Sequence, residues 1–233
     1  MSEESSMSIV QVRDLKRTYK QGEIEVHALR GVDIDIGAGE FTALMGPSGS
    51  GKTTLLNQIG ALDTPTSGTV RIGDQELSGM NKAQLSDLRL NRIGFVFQAY
   101  NLIPVLTAYE NAEFVLMMRG VPEAEREQKV MATLKAVGLE GMEHRRPAEL
   151  SGGQQQRVAV ARAIAGEPAL VLADEPTANL DSKTGHDLID LMRKLNAEQG
   201  ITFVFATHDP KVMEAATRVV SMVDGEIAED IRK

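Results

Sequence analysis

Gly46-Pro47-Ser48-Gly49-Ser50-Gly51-Lys52-Thr53 is the stretch that decides how this chain is read. It follows an apolar run, Phe41-Thr42-Ala43-Leu44-Met45, and leads into a helix-like segment, Thr54-Leu55-Leu56-Asn57-Gln58-Ile59. The spacing is G-x-x-x-x-G-K-[ST] between a strand and a helix, the pattern of a phosphate-binding loop. Glycines let the backbone turn tightly and bring its N–H groups up to phosphate oxygens. The free N–H groups of the following helix favour the anion further. In such a loop Lys52 reaches the β- and γ-phosphates, and the Thr53 hydroxyl ligates magnesium. By composition the pattern arises in roughly one chain in a hundred of this length, so the strand–loop–helix setting carries the weight against a plain Gly-rich turn. The loop specifies a nucleoside triphosphate and leaves open what is done with it.

A length of 233 residues allows one large domain or two small ones, and 42% apolar content is enough for a sizeable core. The absence of Cys excludes a disulfide framework and a thiolate metal site. A net charge of −8 makes the chain a poor non-specific nucleic-acid binder, so no nucleic-acid partner is expected. No apolar stretch approaches the ~18 residues of a membrane span, and the N-terminus lacks a signal-peptide core. Met1-Ser2-Glu3-Glu4-Ser5-Ser6 reads as a short disordered tail. A membrane role therefore has to come through a partner.

Working outward, Ile9–Val12 and Val32–Ile36 alternate as strands, with Tyr19 between them. Thr69–Ile72 and Ile93–Gln98 add strands, so the first part reads as β-rich. From about Thr107 to Gly166 the pattern turns helical: Val130, Leu134 and Val137 share one face, and a helix should start near Ser151. Composition does not shift there, which argues for a helical subdomain inserted into a single domain. Ala169–Ala173, Ile201–Phe205 and Arg218–Val223 then alternate with a helix marked by Leu188, Leu191, Met192 and Leu195. Alternating β and α implies a parallel sheet with helices on both faces, and ligands beyond the carboxyl ends of its strands.

Two further stretches carry chemistry. Asp174-Glu175 follows a buried apolar strand. Asp174 is placed to hold a magnesium hydration shell, and Glu175 to orient or deprotonate an attacking water. Leu150-Ser151-Gly152-Gly153-Gln154 is rarer, arising by composition in roughly a few chains in ten thousand. Ser151 is a good N-cap and the glycines bare the N–H groups of a helix start, a second anion-binding device beside the bland reading of a plain cap.

At these residues the chain resembles the nucleotide-binding subunit of an ABC transporter, over nearly its whole length. The phosphate loop, with Gly46, Ser48, Gly49, Ser50, Gly51, Lys52, Thr53 and Thr54, looks like Walker A. Leu170 to Glu175 looks like Walker B, and Leu150 to Gln154 like the signature motif. Gln98 sits where the family has its Q-loop glutamine, a nucleotide and magnesium contact. Asn179-Leu180-Asp181 looks like the D-loop, His208 like the switch histidine, and Tyr19 like the aromatic that stacks on adenine. Nothing marks His27, His144 or His186. The resemblance implies an α/β fold, the P-loop NTPase ABC cassette: a mainly parallel sheet core, an N-terminal antiparallel β part and an inserted helical subdomain. Residues 1–233 would form one ATPase domain, with 1–98 and 167–233 as the core and about 99–166 as the helical subdomain. It implies ATP and Mg2+ as ligands, and Glu175 and His208 as catalytic residues. ATP would bind Tyr19, the loop, Gln98, Ser151, Gly152, Gly153 and Gln154, with Thr53, Gln98 and Asp174 on the metal. It also implies a head-to-tail pair of copies sandwiching ATP, and an integral membrane permease subunit as partner at the inner face of the cell membrane.

Gly22–Val32, and Phe95–Pro104 with Leu106–Asn111, look like the lipoprotein-releasing and macrolide-exporting group, which also resembles the bacterial cell-division cassette. Ala178 stands where many relatives have Gly, and Phe114-Val115 where many have a Pro; neither touches a phosphate. No C-terminal regulatory domain of the kind some importers carry is expected. The competing readings are a soluble ABC ATPase acting on DNA or ribosomes, which the single cassette, acidic charge and lack of heptads disfavour. A non-hydrolysing regulatory cassette is disfavoured by intact Glu175 and His208. Tyr100, Leu102, Ile103, Val105 and Leu106, just after Gln98, are the expected docking groove for the membrane partner.

Overall fold

The computed structural model describes residues 8–22 and 24–233; the expected tail, Met1–Ser6, and Glu23 lie outside it. Two sheets share the chain. β1 (Ser8–Gln21) and β2 (Ile24–Gly37) form a long antiparallel pair, joined on the other side of β1 by β4 (Ser67–Ile72) and then β5 (Gln75–Glu76). Sequence alternation marks only the inner ends of this pair. The register shifts at Val12/Leu15, Leu15/Lys16 and Arg17/Thr18 break the two-residue period, so the strand passing through Tyr19 carries no alternating signal.

The second sheet has six strands, in the order β10-β9-β3-β8-β7-β6. β3 (Phe41–Met45), β6 (Ile93–Phe97), β7 (Leu170–Asp174), β8 (Thr202–Ala206) and β9 (Arg218–Val223) pair in parallel. β10 (Glu226–Arg232) runs antiparallel to β9 and is a strand the sequence did not signal. β10 is mostly exposed and packs only Ile227 on the core; Asp230 receives two hydrogen bonds from the buried Arg218 guanidinium, at 2.8 and 2.6 Å.

α1 (Lys52–Ile59) lies between the sheets, with Leu55, Leu56 and Ile59 packed against Val10, Ile34, Leu44 and Leu172. On the opposite face of the six-stranded sheet, Phe41, Phe203 and Phe205 cluster with ring centroids 4.6–5.9 Å apart. There they meet α5 (Gly152–Ile164) and α6 (Ser182–Gln199), while α3 (Ala108–Met118) and α4 (Glu123–Ala136) extend the same core. Val130, Leu134 and Val137 are fully buried, as their spacing predicts. α2 (Lys82–Arg92) is a helix the sequence did not signal, because only Leu88 of it is buried. Its start is fixed by a reciprocal cap between Asn81 and Gln84. α7 (Pro210–Ala215) is a short helix between β8 and β9. The parallel registers Leu44↔Ala206, Asp174↔Ala206 and Phe97↔Asp174 end four strands at one edge, so Gly46, Gln98, Glu175 and His208 emerge together.

Candidate functional site

At that edge lies a cavity of about 760 Å³ walled by residues 46–49 and 51–54, Val26, His27, Ala28, Gln98, Glu175, Ala178 and His208. The loop's backbone is fixed by close approach. Gly46 has φ 142°, and a Cβ there would lie 2.1 Å from the Met222 carbonyl oxygen. Gly51 has φ 103°, and its Cβ would lie 2.7 Å from the Ala28 carbonyl oxygen. Both neighbours are main chain, so neither position admits a side chain. Ser50 is buried beneath the loop, and its Oγ has no hydrogen-bond partner among the described residues. Lys52 Nζ donates to the carbonyls of Gly46 at 2.8 Å and Pro47 at 2.9 Å, which leaves one of its three donors for a ligand. Gly51 caps α1 without a side-chain bond, and no acidic residue sits in the first turn. The uncapped N–H groups and helix dipole therefore offer an anion site.

Thr53 Oγ1 donates to Asp174 Oδ1 at 3.1 Å, bringing the expected metal-holding pair together across the two elements. Burial pushes the Asp174 carboxyl above its ordinary range, and the nearby Glu175 charge adds to this; the Thr53 hydrogen bond and Lys52 oppose it. Glu175 sits in the left-handed region at φ 45° and is held there by N–H donation to Ala206 O at 2.9 Å. Its Oε2 accepts from Thr207 Oγ1 at 3.1 Å, and its Oε1 lies 2.7 Å from His208 Nδ1. A non-glycine residue with positive φ at a strand end is a strained conformation, maintained here by three partners.

Gln98 is exposed in the cavity wall, and its carbonyl accepts from Asn179 Nδ2 at 2.9 Å, linking the two loops the sequence had set apart. Asp181 serves as N-cap of α6, accepting from the Lys183 and Thr184 N–H groups. Tyr19 does not wall the cavity, but it pairs across the hairpin with Val26, which does. Its hydroxyl donates to Asp63 at 2.7 Å, and the Arg17 guanidinium lies 4.4 Å from its ring centroid. Asp63 also accepts two bonds from Arg17, both 2.8 Å, and one from Gln58 at 3.1 Å. Asp63 and Arg17 were missed in the sequence; they come from different elements and no local spacing joins them. His27 was also missed: it lines the cavity with Nδ1 2.9 Å from Thr18 Oγ1, and only the β1–β2 register reveals it.

Ser151, Gly152, Gly153 and Gln154 lie outside this cavity. They form a reciprocal cap on α5: Ser151 Oγ accepts from Gln154 N at 3.3 Å, and Gln154 Oε1 from Ser151 N at 2.9 Å. The two glycines make room for their own chain. A Cβ on Gly152 would lie 2.8 Å from the Tyr100 hydroxyl, and one on Gly153 2.3 Å from Thr184 Cγ2. α5 is tied to the cavity's base by fully buried Gln156, whose Nε2 donates to Pro176 O at 2.8 Å and Phe97 O at 3.3 Å.

The expected docking stretch, residues 100–106, adjoins a second cavity. Of residues 100–106, only Asn101 lines the neighbouring apolar groove, of about 780 Å³. Its walls are Leu62, Leu90, Phe95, Phe97, Phe114, Val115 and Met118, contributed by separate elements. Tyr100 instead turns its hydroxyl toward Gly152, and Leu102 packs on the helical core.

Residues 29–178 match the family model described as ABC transporter. The chain is 46% identical to the lipoprotein-releasing system ATP-binding protein of Anaeromyxobacter dehalogenans, over 99% of this chain and 97% of that one. It is 44% identical to the macrolide export ATP-binding/permease protein of Mannheimia succiniciproducens over 97% of this chain, and it spans only 35% of that longer protein. Among solved structures, a dimeric ATP-binding cassette of Methanocaldococcus jannaschii in a post-hydrolysis state with ADP and Pi is similar, with a TM-score of 0.88 and 44% identity. That match covers 96% of this chain and 98% of the other.

Proposed function

The chain belongs to the ABC transporter family as one of its ATP-hydrolysing cassettes, and from that premise we propose that it works as a pair of copies to drive an integral membrane permease subunit. The single observation that carries the pairing is the split of the candidate site. The phosphate loop, Gln98, Glu175 and His208 wall one cavity, while Ser151–Gln154 lie outside it at a half-buried helix start. A second copy placed head to tail would bring that helix start, with the Gly152 and Gly153 N–H groups that the Ser151–Gln154 cap leaves free, against the open side of the phosphates. The similar cassette of known structure is itself dimeric.

Magnesium fits the residues present. The Thr53 hydroxyl and Asp174 are adjacent, Gln98 faces the same cavity, and one carboxylate plus substrate phosphates is the usual donor set for this ion. When bound, it would neutralise charge on the β- and γ-phosphates. The chain's own residues do the rest. Lys52 and the loop N–H groups hold the phosphates, Tyr19 takes the adenine, and Glu175 orients water and accepts its proton. Glu175 is held by His208 Nδ1 and Thr207 in this structure. A turn of His208 away from Glu175 toward the γ-phosphate would release the carboxylate and ready it for water.

Residues 1–98 and 167–233 would form the nucleotide-binding core, and about 99–166 the helical part that moves with the partner. The apolar groove beside Gln98 is the proposed seat of a short helix of the permease subunit. Lipoprotein release, macrolide-type export or related envelope work is the proposed task, at the inner face of the membrane; no described helix is long and apolar enough to cross one. The test is Glu175→Gln protein with and without MgATP, followed by light scattering. A dimer at micromolar concentration that dissociates on nucleotide removal is expected. A strictly monomeric protein would overturn the shared-site reading.

A further inference from the structure

The tight turn between β9 and β10 does not line the nucleotide cavity, yet it touches two of the cavity's walls. β9 pairs in parallel with β3 as far as Met45↔Ser221, so the residues that follow each strand lie side by side. The phosphate loop leaves β3 at Gly46, where the Met222 carbonyl allows no Cβ. Asp224 and Gly225 then turn the chain back, with φ 49° and 84°. Gly225 is buried, and both of its main-chain groups are spent on other segments. Its N–H donates to Ser50 O in the phosphate loop at 3.0 Å. Its carbonyl accepts from Arg30 N in β2, also at 3.0 Å. One residue thus spans from the phosphate loop to the hairpin that carries Tyr19 and Val26.

The packing around this residue is one-sided. A Cβ on Gly225 would lie 2.8 Å from the Ala28 carbonyl oxygen, 3.1 Å from its carbon and 3.2 Å from Leu29 Cα, all main chain of β2. Ala28 walls the cavity, and the same carbonyl bars a side chain at Gly51 in the loop. A side chain at position 225 would therefore push the hairpin away and leave the loop's own contacts, such as those of Lys52, in place.

Resting on the reading that the hairpin takes the adenine through Tyr19, we propose that Gly225 is a positioning residue that sets the separation between the base site on the hairpin and the phosphate site on the loop. It touches neither base nor phosphate and acts through Arg30 and Ser50. A nucleoside triphosphate has to reach both walls at once. With the walls already held at the right separation, binding need not arrange them, and the base and phosphate contacts reinforce each other within one ligand. Glycine suits the position on two counts: φ 84° is unstrained for it, and it adds no atom against β2.

The probes are MgATP, which spans both walls, and magnesium tripolyphosphate, which can use only the loop. Both are titrated into the full chain by calorimetry. Gly225→Ala should weaken ATP about tenfold, the scale of one lost base-stacking contact, and tripolyphosphate by less than about twofold. Losses equal for the two ligands, larger for tripolyphosphate, or absent for both would overturn the spacing role. Tyr19→Ala separates this inference from the reading beneath it. If Tyr19→Ala weakens ATP alone, the adenine reading stands whatever Gly225→Ala does; if it leaves ATP affinity unchanged, both are overturned. Should Gly225→Ala fail to fold, glycolic acid at that position turns the Asp224–Gly225 amide into an ester and removes only the N–H given to Ser50. A larger loss for ATP than for tripolyphosphate is expected there too, and any other order refutes the proposal.

Discussion

Asp63→Ala removes an acceptor shared by Arg17, Tyr19 and Gln58. Arg17 and Asp63 are each 23% exposed in their side chains, so their pair sits between two limits. An exposed ion pair contributes about 0–1 kcal/mol, whereas breaking a buried one costs about 3–5 kcal/mol. Adding about 1 kcal/mol for the tyrosine hydroxyl, the expected loss is about 2–3 kcal/mol. For a chain of this size that corresponds to a fall in Tm of roughly 4–12 °C. The functional consequence follows from Tyr19. Its hydroxyl would lose its anchor and its ring the ordered Arg17 behind it, while the phosphate loop keeps every contact. Stacking of a base on an aromatic is worth about 1–3 kcal/mol, and a loosened ring forfeits part of it. KM for ATP is therefore expected to rise about three- to tenfold with kcat little changed. Tyr19→Phe, which keeps the ring, should lie between Asp63→Ala and the parent in both readouts. Thermal melts and steady-state ATPase assays measure these values. A Tm within about 1 °C of the parent, or a fall in kcat at constant KM, would refute the argument.

Lys52→Ala should weaken ATP binding and abolish most turnover, through loss of the charge facing the phosphates; fluorescent-nucleotide titration and phosphate release check it, and unchanged turnover counts against the loop's role. Ser151→Ala mixed with Lys52→Ala should recover part of the ATPase activity absent from either alone, since one mixed pair keeps one intact composite site. Gly153→Asp is a poorer probe, because a side chain there meets Thr184 before it meets any phosphate. Acid pH should destabilise the fold. Asp230 is held below the ordinary carboxylate range by its Arg218 hydrogen bonds, Glu110 by the Thr107 cap and Asp181 by Thr184. Folded values below unfolded ones give stability that is present above about pH 4 and lost as pH falls through the depressed values. Asp174, shifted upward, works in the opposite sense. Tm measured from pH 7 to 3 should show the gap between parent and Asp230→Asn narrowing toward acid; a gap constant with pH would exclude the Arg218 pair as its source.

The candidate nucleotide site was largely legible in the sequence because its chemistry is local. A phosphate loop needs glycines and a lysine within eight positions, an acidic pair needs one strand end, and a helix cap needs one turn; each constraint acts through the neighbouring backbone. The parallel core was legible for a related reason: β7 and β8 are buried on both faces and read as continuous apolar runs. What sequence left open depends on contacts between distant segments. β1 and β2 carry bulges that erase their alternation, α2 buries a single leucine, and β10 packs only Ile227 on the core. Asp63 reaches Tyr19 only because α1 returns the chain beneath the hairpin, and His27 faces the cavity only through the strand register. An apolar groove beside the nucleotide cavity is walled by Leu62, Leu90, Phe95, Phe114 and Met118, which come from separate elements. No one-dimensional period joins those residues, so only the packing of the helical part against the sheet edge decided where an apolar surface would be left uncovered.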